Sequence, residues 1–130
     1  MNLHLRITLA NDSGNEFFGR GLCELLEGIA ERGSIQQAAK TMNLSYVKAL
    51  HILSRLEQEV GFPLVVRHRG GASHGGAELT EVALSFLAAY RQLEHSVKAA
   101  GDEAFARFQR TCETQRIFMK KRLASGAGGD

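Results

Sequence analysis

Ser45, Lys48, His51 and Arg55 lie in a stretch, residues 45–55, that holds no Asp or Glu, and Arg67 and Arg69 follow soon after. Hydroxyl, imidazole, ammonium and guanidinium groups with no carboxylate beside them do not make a general acid–base pair. They are the groups that bind phosphate oxygens and the edges of bases. Lys48 and Arg55 can reach guanine edges or phosphates, and Ser45 or His51 can hydrogen-bond a base or the backbone. Val47 and Ile52 are apolar residues on the same outward face, suited to pressing on a thymine methyl. Arg67, Arg69 and His74 could grip phosphates or enter a minor groove. Ser34, Gln36 and Gln37 open another helix, where free backbone N–H groups favour a phosphate.

Those groups need a scaffold that presents a helix. Ser34, directly after Gly33, is an N-cap with Gln37 three residues on, the pattern of a capping box. Ile35, Ala38, Ala39 and Met42 mark the buried side of the short helix it starts, and the two alanines let another helix approach closely. Asn43-Leu44 makes a tight turn and Ser45 caps a longer helix. On that helix Tyr46, Ala49, Leu50, Leu53, Leu56 and Val60 form the inward stripe, and Gly61 closes it. A short helix, a tight turn and a longer helix is the helix-turn-helix plan.

The flanking residues supply the rest. Leu3, Leu5, Ile7 and Leu9 alternate with polar residues, which predicts a strand ended by the turn Asn11-Asp-Ser-Gly-Asn15. Phe18, Leu22, Leu25, Leu26 and Ile29 fall on one face of a helix over residues 17–32, stopped by Gly33. After Pro63, residues 64–69 read as a strand, residues 70–76 as a flexible glycine-rich loop, and residues 77–80 as a returning strand. With the N-terminal strand this predicts a three-stranded antiparallel sheet with a wing. Thr80 caps a long helix whose apolar positions Ala83, Phe86, Tyr90, Leu93, Val97, Ala100 and Ala104 make a heptad seam. Gly101-Asp102 marks a kink or restart, and Phe105, Phe108, Cys112 and Met119 continue the stripe. The expected fold is mainly α with a small antiparallel sheet, a winged helix-turn-helix with a long C-terminal dimerisation helix. Its parts are a DNA-binding domain over residues 1–100, a helical extension over 101–123 and a flexible tail over 124–130.

The chain has 130 residues, 44% apolar and 23% charged, which suits a single globular domain. Its net charge of +2 hides a segregated pattern. Residues 32–76 carry Arg32, Lys40, Lys48, Arg55, Arg67 and Arg69 against Glu57 and Glu59, and lie between two acidic blocks. A basic block in that setting suits a polyanion. Residues 104–123 are basic again, with Glu113 as their one acid. No apolar run is long enough for a membrane span, and polar residues interrupt the N-terminus where a signal peptide would be apolar, so a cytoplasmic protein is expected. The two cysteines, Cys23 and Cys112, are far apart and read as small buried hydrophobes. His51, His68, His74 and His95 are scattered, so no metal site is expected, nor any cofactor. No phosphate-binding glycine loop is present, and Glu24, Glu27 and Glu31 lie on a helix's polar side without an acid–base partner, so enzyme activity is not expected.

The run Gly33-Ser-Ile-Gln-Gln-Ala-Ala-Lys-Thr-Met-Asn-Leu-Ser45, followed by Ser54-Arg-Leu-Glu-Gln-Glu-Val-Gly-Phe-Pro-Leu64, resembles the DNA-binding head of LysR-type regulators. Arg69-Gly-Gly, the glycines at 75 and 76, and Ala77-Glu-Leu-Thr80 are more similar to the N-terminal domain of ModE-type molybdate-dependent repressors. The resemblance covers roughly residues 3–95. It implies a winged helix-turn-helix, cytoplasmic transcriptional control and a homodimer made by helices outside the reading head, with Phe86, Tyr90, Leu93 and Val97 as the candidate seam. It places Ser45, Tyr46, Lys48, His51 and Arg55 at recognition-helix positions. ModE-type regulators also carry C-terminal oxyanion-binding domains. The roughly fifty residues after the wing read as helix, so direct molybdate sensing is not expected. The competing reading is a winged-helix module that docks a protein partner and has no DNA target.

Overall fold

Every helix start and stop that the caps foretell lies within one residue of its expected place. In the computed structural model, which describes residues 1–68 and 76–126, the order is β1 (Leu9–Ala10), β2 (Glu16–Phe18), α1 (Arg20–Arg32), α2 (Ile35–Thr41), α3 (Tyr46–Val60), β3 (Val65–His68), β4 (Gly76–Leu79) and α4 (Glu81–Gly126). The Ser34 hydroxyl accepts from the Gln37 N–H at 3.2 Å, and Ser45 accepts from the Lys48 N–H at 3.1 Å. Gly33 and Gly61 end α1 and α3 at φ +66° and +80°, a left-handed geometry that a side chain resists. Asn43, at φ 57°, makes the turn between α2 and α3.

The chain divides into two units, residues 6–92 and residues 1–5 with those from 93 onward. In the first, Leu25, Leu26 and Ile29 of α1, Ile35, Ala38 and Ala39 of α2, and Ala49, Leu53 and Leu56 of α3 form the core with Leu64, Leu79 and Leu87. Ala38 does permit a close approach: a Cβ built on Gly28 of α1 would sit 3.1 Å from the Ala38 Cβ. Gly28→Val therefore forces α1 and α2 apart. A loss of about 1–3 kcal/mol in urea unfolding is expected; an unchanged midpoint would mean that the two helices slide freely.

The sheets differ from expectation. In place of three strands there are two separate antiparallel pairs, β1 with β2 and β3 with β4. Asn11 makes the first hairpin: its side-chain oxygen accepts from the Ser13 and Asn15 N–H groups, and Gly14 turns at φ +87°. That local turn brings Glu16–Phe18, expected as turn and helix, back onto Leu9 and leaves the wing as a two-stranded ribbon.

Thr80 does more than cap α4. Its hydroxyl accepts from the Ala83 N–H at 3.1 Å and donates to the Pro63 carbonyl at 2.9 Å, while its N–H bonds the Leu64 carbonyl. The first turns of α4 belong to the core. Phe18 stands edge-on to both Phe86 and Tyr90 at 4.8 Å, and the Tyr90 hydroxyl donates to the Ile7 carbonyl at 2.9 Å. Tyr90 is 2% exposed and Phe86 is half-buried, so the expected dimer seam must be corrected at these positions. Their apolar surface is satisfied within the unit by Phe18, and Tyr90 has no face left to offer.

Glu27 ties α1 to α4 in the same unit. Its carboxylate accepts from the Cys23 thiol and pairs with Arg91 at 3.2 Å. The Cys23 hydrogen bond first, and the Arg91 guanidinium after it, hold this acid below its ordinary value against the opposing effect of burial. A depressed carboxylate contributes stability above the ordinary pKa of 4.5 and loses it as pH falls through the folded value.

In the second unit α4 runs without a break through Gly101, where a kink or restart was expected, and it continues through Ser125, where a loose tail was expected. Gly101 serves packing instead: a Cβ there would meet Leu5 Cδ1 at 2.7 Å and Leu3 Cδ2 at 3.4 Å. Leu3 and Leu5 thus lie along the helix and not in a strand. No helix among the described residues is long and apolar enough to cross a membrane.

Candidate nucleic-acid interface

Two of the three faces of α3 are separated cleanly. Ala49, Leu53 and Leu56 are buried, which fixes the rotation of the helix and leaves Ser45, Val47, Lys48, His51 and Arg55 in solvent. Val47 is 62% exposed, a β-branched apolar side chain with nothing from this chain to cover it. Lys48 stands in the first turn, directly above the hydroxyl that caps it.

Two residues lie elsewhere than the sequence reading placed them. Tyr46, assigned to the inward stripe, is 42% exposed and joins the presented face, in keeping with its place in the family resemblance. Ile52, assigned to the outward face, is half-buried against the core and is not available to a base. The difference is one of phase: Ile52 stands one residue before Leu53, and the core of this unit wraps far enough around α3 to reach it.

Gln36 and Gln37 are exposed at the start of α2, and Ser34 uses its hydroxyl on the Gln37 N–H. Arg67 is exposed on β3. Its neighbour His68 pairs across the ribbon with Glu78 at 3.2 Å, which ties that imidazole to the wing's own strands. Arg69 and His74 lie outside the described residues. Among the described residues no group of three or more His, Cys, Asp and Glu side chains could hold a metal ion.

Wing and helices are joined by backbone bonds. The Ala77 N–H donates to the Gly33 carbonyl at 2.8 Å, tying β4 to the turn between α1 and α2. Glu57 on α3 accepts from the Leu64 N–H at 2.6 Å and the Val65 N–H at 3.3 Å, at the start of β3. Composition had counted Glu57 only as an acid within a basic block. Its actual partners are backbone donors distant in sequence, which no local pattern announces.

A groove of about 820 Å³ opens beside α3, between the β1–β2 hairpin, the start of α1 and the side of α3 that carries Ile52, Arg55 and Glu59. Arg6 and Arg20 line it along with Arg55. Sequence reasoning had assigned Arg6 no role, because only the hairpin brings it near α3.

With this geometry in view, the comparisons with known proteins are specific. Residues 22–84 match the family model of bacterial regulatory helix-turn-helix proteins of the lysR family. Residues 22–84 are a LysR-type helix-turn-helix domain. The chain is 37% identical over 97 residues to the molybdenum transport protein ModE of Azotobacter vinelandii, covering 75% of this chain and 36% of that protein. It is 38% identical over 76 residues to the transcriptional regulator ModE of Haemophilus influenzae, covering 58% of this chain and 30% of that protein. It therefore spans about a third of the length of these curated relatives. In the crystal structure of the CbnR_DBD–DNA complex, 65% of this chain superposes on 91% of that chain with a TM-score of 0.51 and 28% identity. Full-length CbnR complexed with its target DNA gives the same TM-score and identity over 27% of that chain. The LysR-type domain takes in α1 to the first turn of α4, so Tyr90 lies beyond the matched residues although it completes their core.

Proposed function

We propose that this chain is a sequence-specific DNA-binding transcriptional regulator of the ModE/LysR-like type, acting as a homodimer in the cytoplasm. The observation that carries the reading is the split of α3. One side is locked into the core of a LysR-type domain, and the other presents Val47, Lys48, His51 and Arg55 with no acid among them. In a helix-turn-helix the N-terminal residues of the second helix meet base edges in the major groove. The wing, residues 64–80, grips the adjacent backbone with Arg67 and Arg69. The likeness to a DNA-complexed relative at 28% identity supports the same use of the fold.

The test is a salt titration of duplex binding. Affinity should fall as salt rises, with a slope of log K against log salt of about −0.9 for each phosphate neutralised. A module that only docks a protein would show no binding to any duplex at low salt, and that result would remove the proposal.

A further inference from the structure

Beyond residue 92, α4 carries apolar side chains that nothing in the chain covers fully. Leu93 is 39% exposed, Phe108 54%, Met119 51% and Leu123 68%. Val97 and Cys112 are half-buried and Ala104 is exposed between them. Leu93 to Ala104, Val97 to Phe108, Phe108 to Met119 and Cys112 to Leu123 are each steps of eleven residues. That period, 3.67 residues per turn, keeps these positions in one nearly straight stripe. Leu3 and Leu5, both half exposed, widen it where they lie at Gly101.

The stripe reads the same in both directions about Phe108. Fifteen residues before it is Leu93 and fifteen after is Leu123; at eleven stand Val97 and Met119; at four, Ala104 and Cys112. The charges do not share this symmetry. Residues 93–103 hold Glu94, Asp102 and Glu103 against Lys98, whereas residues 113–123 hold Arg116, Lys120, Lys121 and Arg122 against Glu113. Two copies aligned in parallel would set the basic segments side by side. Aligned antiparallel, each basic segment meets an acidic one, and every apolar residue meets an apolar residue. Charge of this kind selects orientation and register, while the apolar stripe supplies the contact.

We propose that a second copy of this chain docks antiparallel along residues 93–123, with the two-fold axis at Phe108. This rests on the homodimer of the proposed function and adds its direction and register. Leu93 then faces the partner's Leu123, Val97 the partner's Met119, Ala104 the partner's Cys112, and Phe108 its own counterpart. A crystal-independent consequence is that Cys112 is kept from the partner's Cys112: eight residues of helix separate the two, about 12 Å along the axis. A disulfide tolerates about 7 Å between Cα atoms.

Oxidative cross-linking of the full chain decides it. Phe108→Cys in a Cys112→Ser background should form a covalent dimer. Ala104→Cys with native Cys112, which leaves Phe108 in place, should do so as well. The unaltered chain, and Leu93→Cys in the Cys112→Ser background, should stay uncross-linked. Self-linking of native Cys112 or of Leu93→Cys would show a parallel pair and overturn the proposal. So would failure of both Phe108→Cys and Ala104→Cys. Sedimentation of the unaltered chain separates the two levels. A dimer with the wrong cross-links removes the register alone, and a monomer that still binds duplex DNA removes the docking and leaves the DNA reading intact.

Discussion

Lys48→Ala should weaken binding to the preferred duplex by about 1–3 kcal/mol and leave binding to a scrambled duplex nearly unchanged. Lys48 stands in the first turn of α3, its backbone N–H fixed by the Ser45 hydroxyl, with Tyr46, Val47 and His51 exposed around it. That is the part of a recognition helix that meets base edges. Arg55→Ala should behave differently. Two turns further along, at the rim of the groove that Arg6 and Arg20 also line, Arg55 is placed to hold a phosphate. Its loss should lower affinity for both duplexes alike and take about 0.9 from the salt slope. Salt titrations of the unaltered chain and both variants on the two duplexes make the comparison. If Lys48→Ala lowers both affinities equally, Lys48 is a second phosphate clamp. Base reading would then rest on Ser45, His51 and Val47, with Ile52 excluded by its burial.

The second large effect belongs to Leu93. Leu93→Asp should split the dimer and weaken operator binding with it, because each head alone contacts one half-site. Joining two half-site contacts multiplies affinity by about 10²–10⁴, so a loss in that range is expected on a two-half-site duplex and little on a single half-site. Leu93 is exposed enough that the substitution should leave residues 6–92 folded. Sedimentation at micromolar concentration, circular dichroism and the two duplexes make the measurement. A variant that stays dimeric would take Leu93 out of the interface.

The helical frame was legible because its signals are local. Ser34, Ser45, Gly33 and Gly61 act on backbone groups within four residues of themselves, so type and spacing state the outcome. The hairpin partner of β1 was not legible. Leu3, Leu5, Ile7 and Leu9 alternate as a strand would, yet Leu3 and Leu5 pack on a helix at Gly101, which the period of two does not disclose. The seam misled in a related way. A 3-4 spacing says that one side of a helix is covered and is silent on whether the cover is another copy or Phe18 of the same chain. At the interface, Lys48, His51 and Arg55 were read correctly as exposed, since charge keeps them in water. Tyr46 and Ile52 stand at the border of the apolar stripe, where the sequence does not tell how far the core reaches around α3.

The bond from the Tyr90 hydroxyl to the Ile7 carbonyl spans 83 residues of chain. The contacts of α1 with α2, and of α2 with α3, form between near neighbours and close early at small entropic cost, whereas that bond closes a loop containing the whole helix-turn-helix. On a ribosome, the first hairpin is made well before Phe86 and Tyr90 exist to cover Phe18. The reading helix can therefore be in place while the amino-terminal hairpin still waits, and the head completes its core only when the chain has been extended into the helix that follows the wing. The time at which the protein becomes competent is set by its last helix and not by its first.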